Sequence, residues 1–558
     1  MPPGTRFRAG ADVWLAAFAF LGLAVAATWP VGRALTSSLP GDYGDPLFNT
    51  WVMAWVAQHL TRALSGDVGA LARMWDAPIF APDTNTLAYS DHLIGPALQA
   101  LPIYWLTGNP LLAYNLIWLS TFVLSGLGTY LLVREFTGSR FGGMVAGALF
   151  AVNDFRAASL AHLQILSAHW VPFALVGLLV FARSGSRGAL ALATVSVVLL
   201  NATSGYYTLY CGPLIAAFAM TVLIRQRAWR TRAGWIALGM AAVAVILAEV
   251  PLVLPYLELQ RVEHFTRTRL ELETYSLSLD LYWDRLPSLA PMLLLAGVSL
   301  LPWRGGKMRV RWAVGLFVVA GVLGLWLSLG PVPKWRGTPV ALPGLYDLLF
   351  TYVPGYSGLR AVSRFAVVLS TALAVLAGIG AAWLQRHGGA AGAAVAAVAA
   401  ATHLTWQWMG PVPLDAPLLA AGLQPAPAYL TPAVTVPEVY RAVAATAPHA
   451  LIVELPFGDP GYELRYQYFQ LSHGRPLLNG YSGYFPRSYR SRVARLVNPL
   501  ADPDAAWSAL APATHVLVHG RAWPDDRGTA IGGWLSSRGA SVIAERDGAK
   551  LWHLRKSQ

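Results

Sequence analysis

Residues 225–232 read RQRAWRTR, and residues 233–255 continue as AGWIALGMAAVAVILAEVPLVLP. The second stretch is almost entirely apolar and is long enough to cross a bilayer, which takes roughly 20 such residues in a helix. The arginines in front of it resist transfer across a membrane, so the short loop that carries them is expected to stay in the cytoplasm. Together the two stretches predict a membrane-spanning helix with a defined direction.

The same pattern recurs along most of the chain. The 558 residues are 55% hydrophobic and only 12% charged, with a mean hydropathy of +0.47, whereas soluble proteins carry about 25% charged residues. We therefore predict an α-helical polytopic membrane protein with about eleven spans. The clearest apolar segments are 13–34, 110–133, 141–153, 170–182, 188–202, 206–224, 233–255, 288–302, 312–330, 365–385 and 389–409.

The net charge of +13 is better explained by the topology of the chain than by nucleic-acid binding. Arg6 and Arg8 precede the first apolar segment, which predicts a cytoplasmic amino terminus and an outer loop at 36–108. Eleven spans then put the basic loops inside and the carboxyl-terminal domain outside. This parity requires that Leu93 to Leu106, which is short and contains prolines, lies in the interface or re-enters. The predicted inside residues are Arg134, Arg140, Arg183, Arg187, Arg225, Arg227, Arg230, Arg232, Arg304, Lys307, Arg309, Arg311 and Arg386.

Polar residues gather at the start of the predicted outer loop. Gly41-Asp42-Tyr43-Gly44-Asp45-Pro46 leads into a segment in which Trp51 and Trp55 share one helical face. This pattern predicts an interfacial helix beside a turn that carries two carboxylates. Because Asp45 stands before Pro46, it is also a natural helix N-cap, so capping is the structural alternative and is compatible with a functional role.

Two more polar stretches fall in predicted outer segments. Ionisable groups at a membrane boundary are costly unless they are paired or used, so these residues are candidate site residues, with a structural role at the interface as the alternative. Two histidines and an aspartate in the second stretch could bind a metal instead, but no i,i+4 histidine pair supports this. The first stretch ends in Tyr89-Ser90-Asp91-His92, and the second contains Asp154, Arg156, His162, Gln164 and His169.

Arg360 and Arg364 lie one helical turn apart, just before the apolar segment 365–385. Guanidinium groups bind phosphate oxygens in pairs, so this spacing favours a phosphate ligand, with snorkelling to lipid head groups as the alternative. The sequence contains no Walker loop, dinucleotide fingerprint, serine nucleophile elbow or zinc ribbon. Nucleotide-driven chemistry is therefore not indicated, and no cofactor is expected, although a divalent metal remains an alternative.

Several of these stretches resemble the GT-C superfamily of membrane glycosyltransferases that use polyprenyl-phosphate sugars. Within it, the chain looks like a group of uncharacterised bacterial multi-pass membrane proteins, and the resemblance runs through most of its length. The matching pieces are Gly41-Asp42, Asp45-Pro46-Leu47, Trp51, Trp55, Asn85 to His92, His162-Leu163-Gln164, Gly358-Leu359-Arg360, Arg364-Phe365, Glu454 to Gly458 and Leu478 to Gly483.

The resemblance implies site residues. In GT-C enzymes an acidic residue of the first outer loop acts as a base or positions the acceptor, and a second acidic residue often follows the third span. Asp45 or Asp42 matches the first role and Asp154 the second, although the usual Asp-Glu pair directly after the first helix is missing. The implied substrate-binding residues are Arg360, Arg364, Arg156, His92, Asp91, His162, Gln164 and Tyr89.

The resemblance also implies a reaction. It points to an inverting hexosyl- or pentosyltransferase of the bacterial inner membrane that transfers a sugar from a polyprenyl-phosphate donor to a glycan, lipid or protein acceptor on the outer face. A transporter or flippase for lipid-linked glycans is one alternative, although Glu249 is almost the only acidic residue within an apolar segment. A non-catalytic cell-envelope assembly protein on a GT-C scaffold is another alternative. It predicts that Asp42, Asp45 and Asp154 do not converge on one outer cavity.

The composition changes after Gly410, which predicts two domains. Residues 1–410 are expected to form the membrane domain, and residues 411–558 an extracytoplasmic α/β domain. Alternating helical and strand patterns after 436 favour a small sheet that is covered by helices. The predicted strands are 450–455, 514–519, 540–544 and 550–554.

Overall fold

The computed structural model describes residues 10–264, 267–303, 310–408, 410–418, 422–427 and 436–555. Five basic residues that the predicted orientation uses lie outside the described residues: Arg6, Arg8, Arg304, Lys307 and Arg309.

The apolar part of the chain folds into packed helices. Among the described residues, six helical stretches are long and apolar enough to cross a membrane. They are Pro110–Thr137, Leu163–Ser184, Tyr206–Arg225, Arg232–Glu263, Arg311–Ser328 and Val362–Trp406. The helices are α1 (Ala11–Ala27), α2 (Asp45–Leu64), α3 (Ala70–Arg73), α4 (Ile94–Thr107), α5 (Pro110–Thr137), α6 (Arg140–Ala151), α7 (Asp154–Ala157), α8 (Leu163–Leu166), α9 (Trp170–Ser184), α10 (Arg187–Asn201), α11 (Tyr206–Arg225), α12 (Arg232–Glu263), α13 (Arg269–Thr274), α14 (Leu279–Asp284), α15 (Leu286–Val298), α16 (Arg311–Ser328), α17 (Leu345–Tyr352) and α18 (Ala366–Trp406).

The long helix α18 consists of two arms. Gly389 has φ 58° and ψ −136°, a conformation outside the helical region, so the chain turns back at this glycine. The two arms correspond to the predicted segments 365–385 and 389–409. Together with the other apolar helices they show a polytopic helical membrane protein. The count of eleven spans stays a prediction, because several predicted spans correspond to helices shorter than a bilayer crossing requires.

Helix α6 and the first arm of α18 pack at very short range. A Cβ atom on Gly142 would lie 2.6 Å from the Gly378 carbonyl oxygen and 2.7 Å from the Ala382 Cβ. A Cβ atom on Gly378 would lie 2.4 Å from the Ala146 Cβ. Small residues four apart on both helices therefore let the two backbones approach, as is common between membrane helices. This contact brings the segment that follows α6 close to the segment that precedes α18.

Replacing Gly378 with alanine is expected to lower the free energy of unfolding by about 1–3 kcal/mol, because the added methyl group would overlap Ala146. The melting temperature of the detergent-solubilised protein measures this loss. Gly315→Ala in α16 is the matched control, since a Cβ there meets no described atom within 4 Å. Equal melting temperatures for the two variants would contradict the close packing.

The chain after α18 forms a sheet with helices against it. β3 and β4 are parallel, and β6 is antiparallel to both β4 and β5, which gives the order β3-β4-β6-β5. A separate two-stranded hairpin lies between α16 and α17. The strands are β1 (Lys334–Trp335), β2 (Thr338–Pro339), β3 (Ile452–Leu455), β4 (His515–His519), β5 (Ser541–Arg546) and β6 (Ala549–His553), and the helices are α19 (Glu438–Ala444), α20 (Pro460–His473), α21 (Arg487–Leu496), α22 (Pro503–Ala509) and α23 (Arg527–Ser537).

This carboxyl-terminal part docks on the 36–108 loop. The Phe80 N–H donates to the Asn479 carbonyl at 2.9 Å, and the Leu477 N–H donates to the Pro78 carbonyl at 3.0 Å. Side chains of both parts also belong to one continuous hydrophobic core. We call the side of the helix bundle where these two parts lie the loop side. The division into two domains at residue 410 stays a prediction, as does the position of the loop side outside the cell.

Candidate active site

A cavity of about 1000 Å³ opens on the loop side of the helix bundle. Pockets of roughly 300–1,000 Å³ are typical of small-molecule sites, so the cavity has room for a sugar and its phosphate. Its wall comes from parts of the chain that are far apart in the sequence: the start of α2, the turn at 88–91, and residues 153–164, 267–285, 358–373 and 481–485.

Asp45 and His162 form a pair in this wall. The Asp45 Oδ2 lies 2.9 Å from the His162 Nε2, and both side chains are about one-third exposed, at 31% and 33%. Asp45 is the first residue of α2 and Gly44 is its N-cap, so Asp45 stands one position further into the helix than the sequence indicated. One turn later, the Asn49 side chain donates to the Gln164 Oε1 at 3.3 Å. The predicted His162-Leu163-Gln164 motif therefore lies against the start of α2.

Asp91 lines the cavity beside this pair. Burial raises the pKa of its carboxyl group above the ordinary value of an aspartate. Four nearby groups lower the pKa of Asp91 and so show which side chains surround it. One of them is His162, which pairs with Asp45. The four groups are Ser204, Arg364, Gln164 and His162.

Replacing Asp91 with asparagine is expected to stabilise the protein at high pH. A carboxyl group whose pKa rises on folding costs stability as the pH increases from its unfolded value of about 3.9 to its folded value. The melting temperature of the variant minus that of the wild type should therefore be more positive at about pH 8 than at about pH 4. For Asp280→Asn the same difference in melting temperature should be more negative at about pH 8 than at about pH 4, because the Arg336 backbone N–H lowers the pKa of Asp280. A difference for Asp91→Asn that does not vary with pH would contradict the assignment.

Two arginines in another part of the wall share one carboxylate. The Arg267 Nη1 lies 2.9 Å from the Glu271 Oε1, and the Arg360 Nε lies 3.4 Å from the same oxygen. The Arg360 guanidinium also lies 4.4 Å from the centroid of the Tyr275 ring and donates to its hydroxyl. Because two guanidinium groups meet a single carboxylate, this group keeps an excess of positive charge. It is a suitable place for a phosphate.

Asp154 reaches the same cavity but already has two partners. One carboxylate oxygen pairs with Arg285, and the other accepts a hydrogen bond from the Gln407 Nε2 at 3.1 Å. The side chain is 29% exposed. Both carboxylate oxygens of Asp154 are therefore engaged by other side chains of the protein.

The carboxyl-terminal part contributes a loop to the wall, and α20 holds that loop. The buried Glu463 accepts the Gly480 N–H at 2.8 Å, and Gln467, one turn later, accepts the Tyr481 N–H at 3.0 Å. The Tyr481 ring then packs edge-on against Phe48 of α2, with centroids 5.8 Å apart. These contacts explain the Leu478 to Gly483 motif: it fixes Tyr481 and the residues that follow at the cavity.

Tyr89 also lines the cavity and joins two parts of its wall. Its ring stacks with Tyr484 at 6.4 Å between centroids, and its hydroxyl donates to the Glu263 Oε1 at 3.3 Å. An aromatic wall of this kind suits a sugar ring as well as ordinary packing.

Two of the predicted site residues lie outside the cavity, in the 36–108 loop. The backbone of Asp42 forms a β-bridge with that of Ala416. The Asp42 Oδ1 accepts a hydrogen bond from the Gly44 N–H at 2.9 Å, so the carboxylate stabilises the turn before α2. His92 is buried, and its Nδ1 accepts the Ile94 N–H at 3.2 Å. Burial lowers the pKa of His92 to about 4, which keeps the ring neutral. Both residues support the loop structurally.

Arg156 is one of the implied substrate-binding residues, but the structure turns it away from the cavity. Its guanidinium donates to the Ser125 Oγ at 3.0 Å, the Leu166 carbonyl at 2.8 Å and the Thr121 Oγ1 at 2.9 Å. It also lies 4.3 Å from the centroid of the Phe122 ring. Arg156 therefore ties the segment after α6 to α5, and a role in packing replaces the expected role in binding.

Among the cavity residues that sequence reasoning missed are Tyr206, Arg267, Arg285 and His403. Tyr206 and His403 lie in apolar helices, and only the packing of those helices shows which face meets the cavity. Arg267 and Arg285 lie between the apolar segments 233–255 and 288–302, and their position in a predicted outer loop was the signal that could have found them.

The side chains that suggested a metal site do not come together. His162 pairs with Asp45, Asp154 pairs with Arg285, and His169 is buried against Trp170. Within the part of the chain that the structure describes, no group of three or more His, Cys, Asp or Glu side chains could hold a metal ion.

The overall fold is shared with a solved glycosyltransferase structure. The chain is similar to the arabinofuranosyltransferase AftD from Mycobacteria, with a TM-score of 0.58 and 15% sequence identity over 97% of this chain and 41% of the AftD chain. It thus spans less than half the length of AftD. At this level of identity the likeness shows the fold alone.

Two other solved structures are less similar. ArnT from Cupriavidus metallidurans gives a TM-score of 0.49 and 13% identity over 97% of each chain. The Archaeoglobus fulgidus oligosaccharyltransferase gives 0.45 and 11% identity over 91% of this chain and 68% of that one. Because both TM-scores lie below 0.5, the assignment of the fold depends on AftD. No protein-family model and no curated protein sequence matches the chain.

Proposed function

We propose that this protein is a membrane glycosyltransferase that moves a sugar from a polyprenyl-phosphate donor to an acceptor hydroxyl on the extracytoplasmic face. One observation carries the proposal: a single cavity in a GT-C fold collects both the acidic and the basic groups that such a transfer needs. The acidic residues in its wall are Asp45, Asp91 and Asp154, and the arginines are Arg267, Arg285, Arg360 and Arg364.

Asp45 is the proposed base. The acceptor oxygen attacks the anomeric carbon of the donor sugar, a glycosidic bond forms, and the bond from that carbon to the phosphate oxygen breaks. Asp45 takes the proton of the acceptor hydroxyl, while His162, at 2.9 Å, holds the carboxylate in position. A single displacement of this kind inverts the anomeric configuration. Asp45 suits the role better than Asp154, whose carboxylate is engaged by Arg285.

The Arg267–Arg360 group is the proposed phosphate site. Negative charge grows on the phosphate as it leaves, and guanidinium groups fixed in place before the reaction stabilise that charge without reorganising. Glu271 and Tyr275 hold these two arginines, and the group keeps a positive excess for the phosphate to neutralise. Arg364 lies in the same wall and adds to the field there.

The proposed setting is the bacterial inner membrane, with the amino terminus in the cytoplasm and the carboxyl-terminal part outside. Lys and Arg in alternate connections support this orientation. The loop that contains Tyr481 would then close the cavity from the outer side and contact the acceptor, which is a glycan, a lipid or a protein. The donor lipid would enter from the bilayer.

Replacing Asp45 with asparagine is expected to reduce sugar transfer by about 10²- to 10⁴-fold, because an amide cannot take up the acceptor proton. Transfer from membrane lipid donors to endogenous acceptors is measured by mass spectrometry on membranes that contain equal amounts of inserted protein. Asp42→Asn is the matched control: it keeps the oxygen that accepts the Gly44 N–H, and Asp42 lies outside the cavity.

Three outcomes would overturn the assignment. Full activity of Asp45→Asn would remove Asp45 from the role of base. A wild-type protein that translocates a lipid-linked glycan without transferring sugar would be a flippase, and one that does neither would be an assembly protein on a GT-C scaffold.

Replacing Arg267 with glutamine is expected to weaken the binding of undecaprenyl phosphate about tenfold or more, because a charge-assisted hydrogen bond is lost. Native mass spectrometry of the purified protein with added undecaprenyl phosphate measures the affinity. Arg269→Gln removes the same charge two residues away, where the side chain is 58% exposed and pairs with Asp347 outside the cavity. Equal affinities for the two variants would argue against a phosphate at Arg267.

A further inference from the structure

His403 lies in the last turn of α18 and has one ring nitrogen in use. Its side chain is fully buried, and His403 is one of the residues that line the cavity. The Nδ1 lies 2.9 Å from the Ser288 carbonyl oxygen. A carbonyl oxygen only accepts hydrogen bonds, so Nδ1 carries a proton, and in a neutral ring Nε2 is then an acceptor.

The Nε2 of His403 has no hydrogen-bond partner among the residues that the structure describes. Leaving a buried polar atom without a partner costs about 1–3 kcal/mol, and native proteins rarely keep one without a reason. Because His403 is a lining residue of the cavity, a bound ligand can supply the missing donor. Because the nitrogen is a hydrogen-bond acceptor, the ligand must offer it a donor such as a hydroxyl or an amine.

The neighbours of His403 are neutral as a group. Asp154 lies close enough to act on the ring electrostatically, and its charge is compensated by Arg285. Gln407 donates to the second oxygen of the same carboxylate at 3.1 Å. The arginine offers N–H donors, while the carboxylate and the histidine offer acceptor oxygens and a nitrogen.

This mixture of donors and acceptors discriminates between ligands. A phosphate only accepts hydrogen bonds and is repelled by the carboxylate and by the lone pair of the histidine. A sugar hydroxyl both donates and accepts, so it matches every group in the cluster. The positive excess lies instead at Arg267 and Arg360, which share Glu271. The cavity therefore separates a place for phosphate from a place for hydroxyl groups.

An apolar wall lies next to the cluster. Leu289 and Met292 of α15 and Leu369 and Leu373 of α18 line the same cavity, and Leu289 follows the residue whose carbonyl binds His403. A ligand that meets the cluster thus also meets side chains of the membrane helices. This favours the sugar that is carried by a lipid over one that arrives from solution.

We propose that His403, Arg285 and Asp154 form a subsite that binds hydroxyl groups of the sugar on the lipid donor. The inference rests on the proposed function, because it takes the donor to be a glycosylated polyprenyl phosphate. His403 is a binding residue in this account, and its contribution is discrimination between the glycosylated lipid and the bare lipid phosphate.

The test compares two kinds of probe by native mass spectrometry: undecaprenyl phosphate, and a panel of undecaprenyl phosphoryl hexoses and pentoses. For the glycoside that the wild type binds best, His403→Phe is expected to weaken binding about three- to tenfold, which corresponds to one lost hydrogen bond. Binding of undecaprenyl phosphate should not change. His403→Gln keeps an acceptor near the position of Nε2 and should recover part of the affinity.

His387→Phe is the matched control. His387 lies on the same helix, also bonds a backbone carbonyl through Nδ1 at 2.9 Å, and does not line the cavity. The inference fails if no glycoside binds the wild type more tightly than undecaprenyl phosphate, if His403→Phe leaves the preference unchanged, or if it weakens both probes equally. Failure of the wild type to bind any of these lipids would instead overturn the proposed function.

Discussion

Charge compensation at the edge of an apolar helix bundle is the constraint on which this site depends. An isolated ionised group is costly at such a boundary, so arginines there need partners. Arg285 has Asp154, and Arg267 and Arg360 share Glu271. These pairings let several guanidinium groups stand around one cavity beside membrane helices. They also leave the positive excess at one defined place.

The cavity exists because parts of the chain that are far apart in the sequence close around the helix ends. The close contact of α6 with α18 brings Asp154 toward the segment that carries Arg360. The carboxyl-terminal part then docks on the 36–108 loop through backbone hydrogen bonds and a common hydrophobic core. Glu463 and Gln467 fix the loop that contains Tyr481. The same packing that stabilises the fold therefore sets the shape of the site.

The pairing of Asp45 with His162 bears on a point at which the sequence departs from the GT-C enzymes that it resembles. The Asp-Glu pair that commonly follows the first helix is missing, and His162, from a segment more than a hundred positions away, stands beside Asp45 instead. A histidine N–H can orient a carboxylate by one hydrogen bond and leave its other lone pairs open to a further donor. The proposed base and the proposed phosphate site thus lie in one cavity but are served by different neighbours.

The sequence by itself determined the membrane-protein class, the positions of most apolar helices and the four strands near the carboxyl end, because hydrophobic runs and strand patterns are local properties of the chain. It also pointed to Asp45, Asp91, Asp154, Arg360 and Arg364, since polar residues are conspicuous between apolar segments. Only the tertiary structure decided which of these candidate site residues lie together in the cavity. Arg156 and His92 lie outside the cavity, whereas His403 and Arg285 line it. The sequence could not show this, because the direction of a side chain depends on the packing of helices that are distant in the sequence.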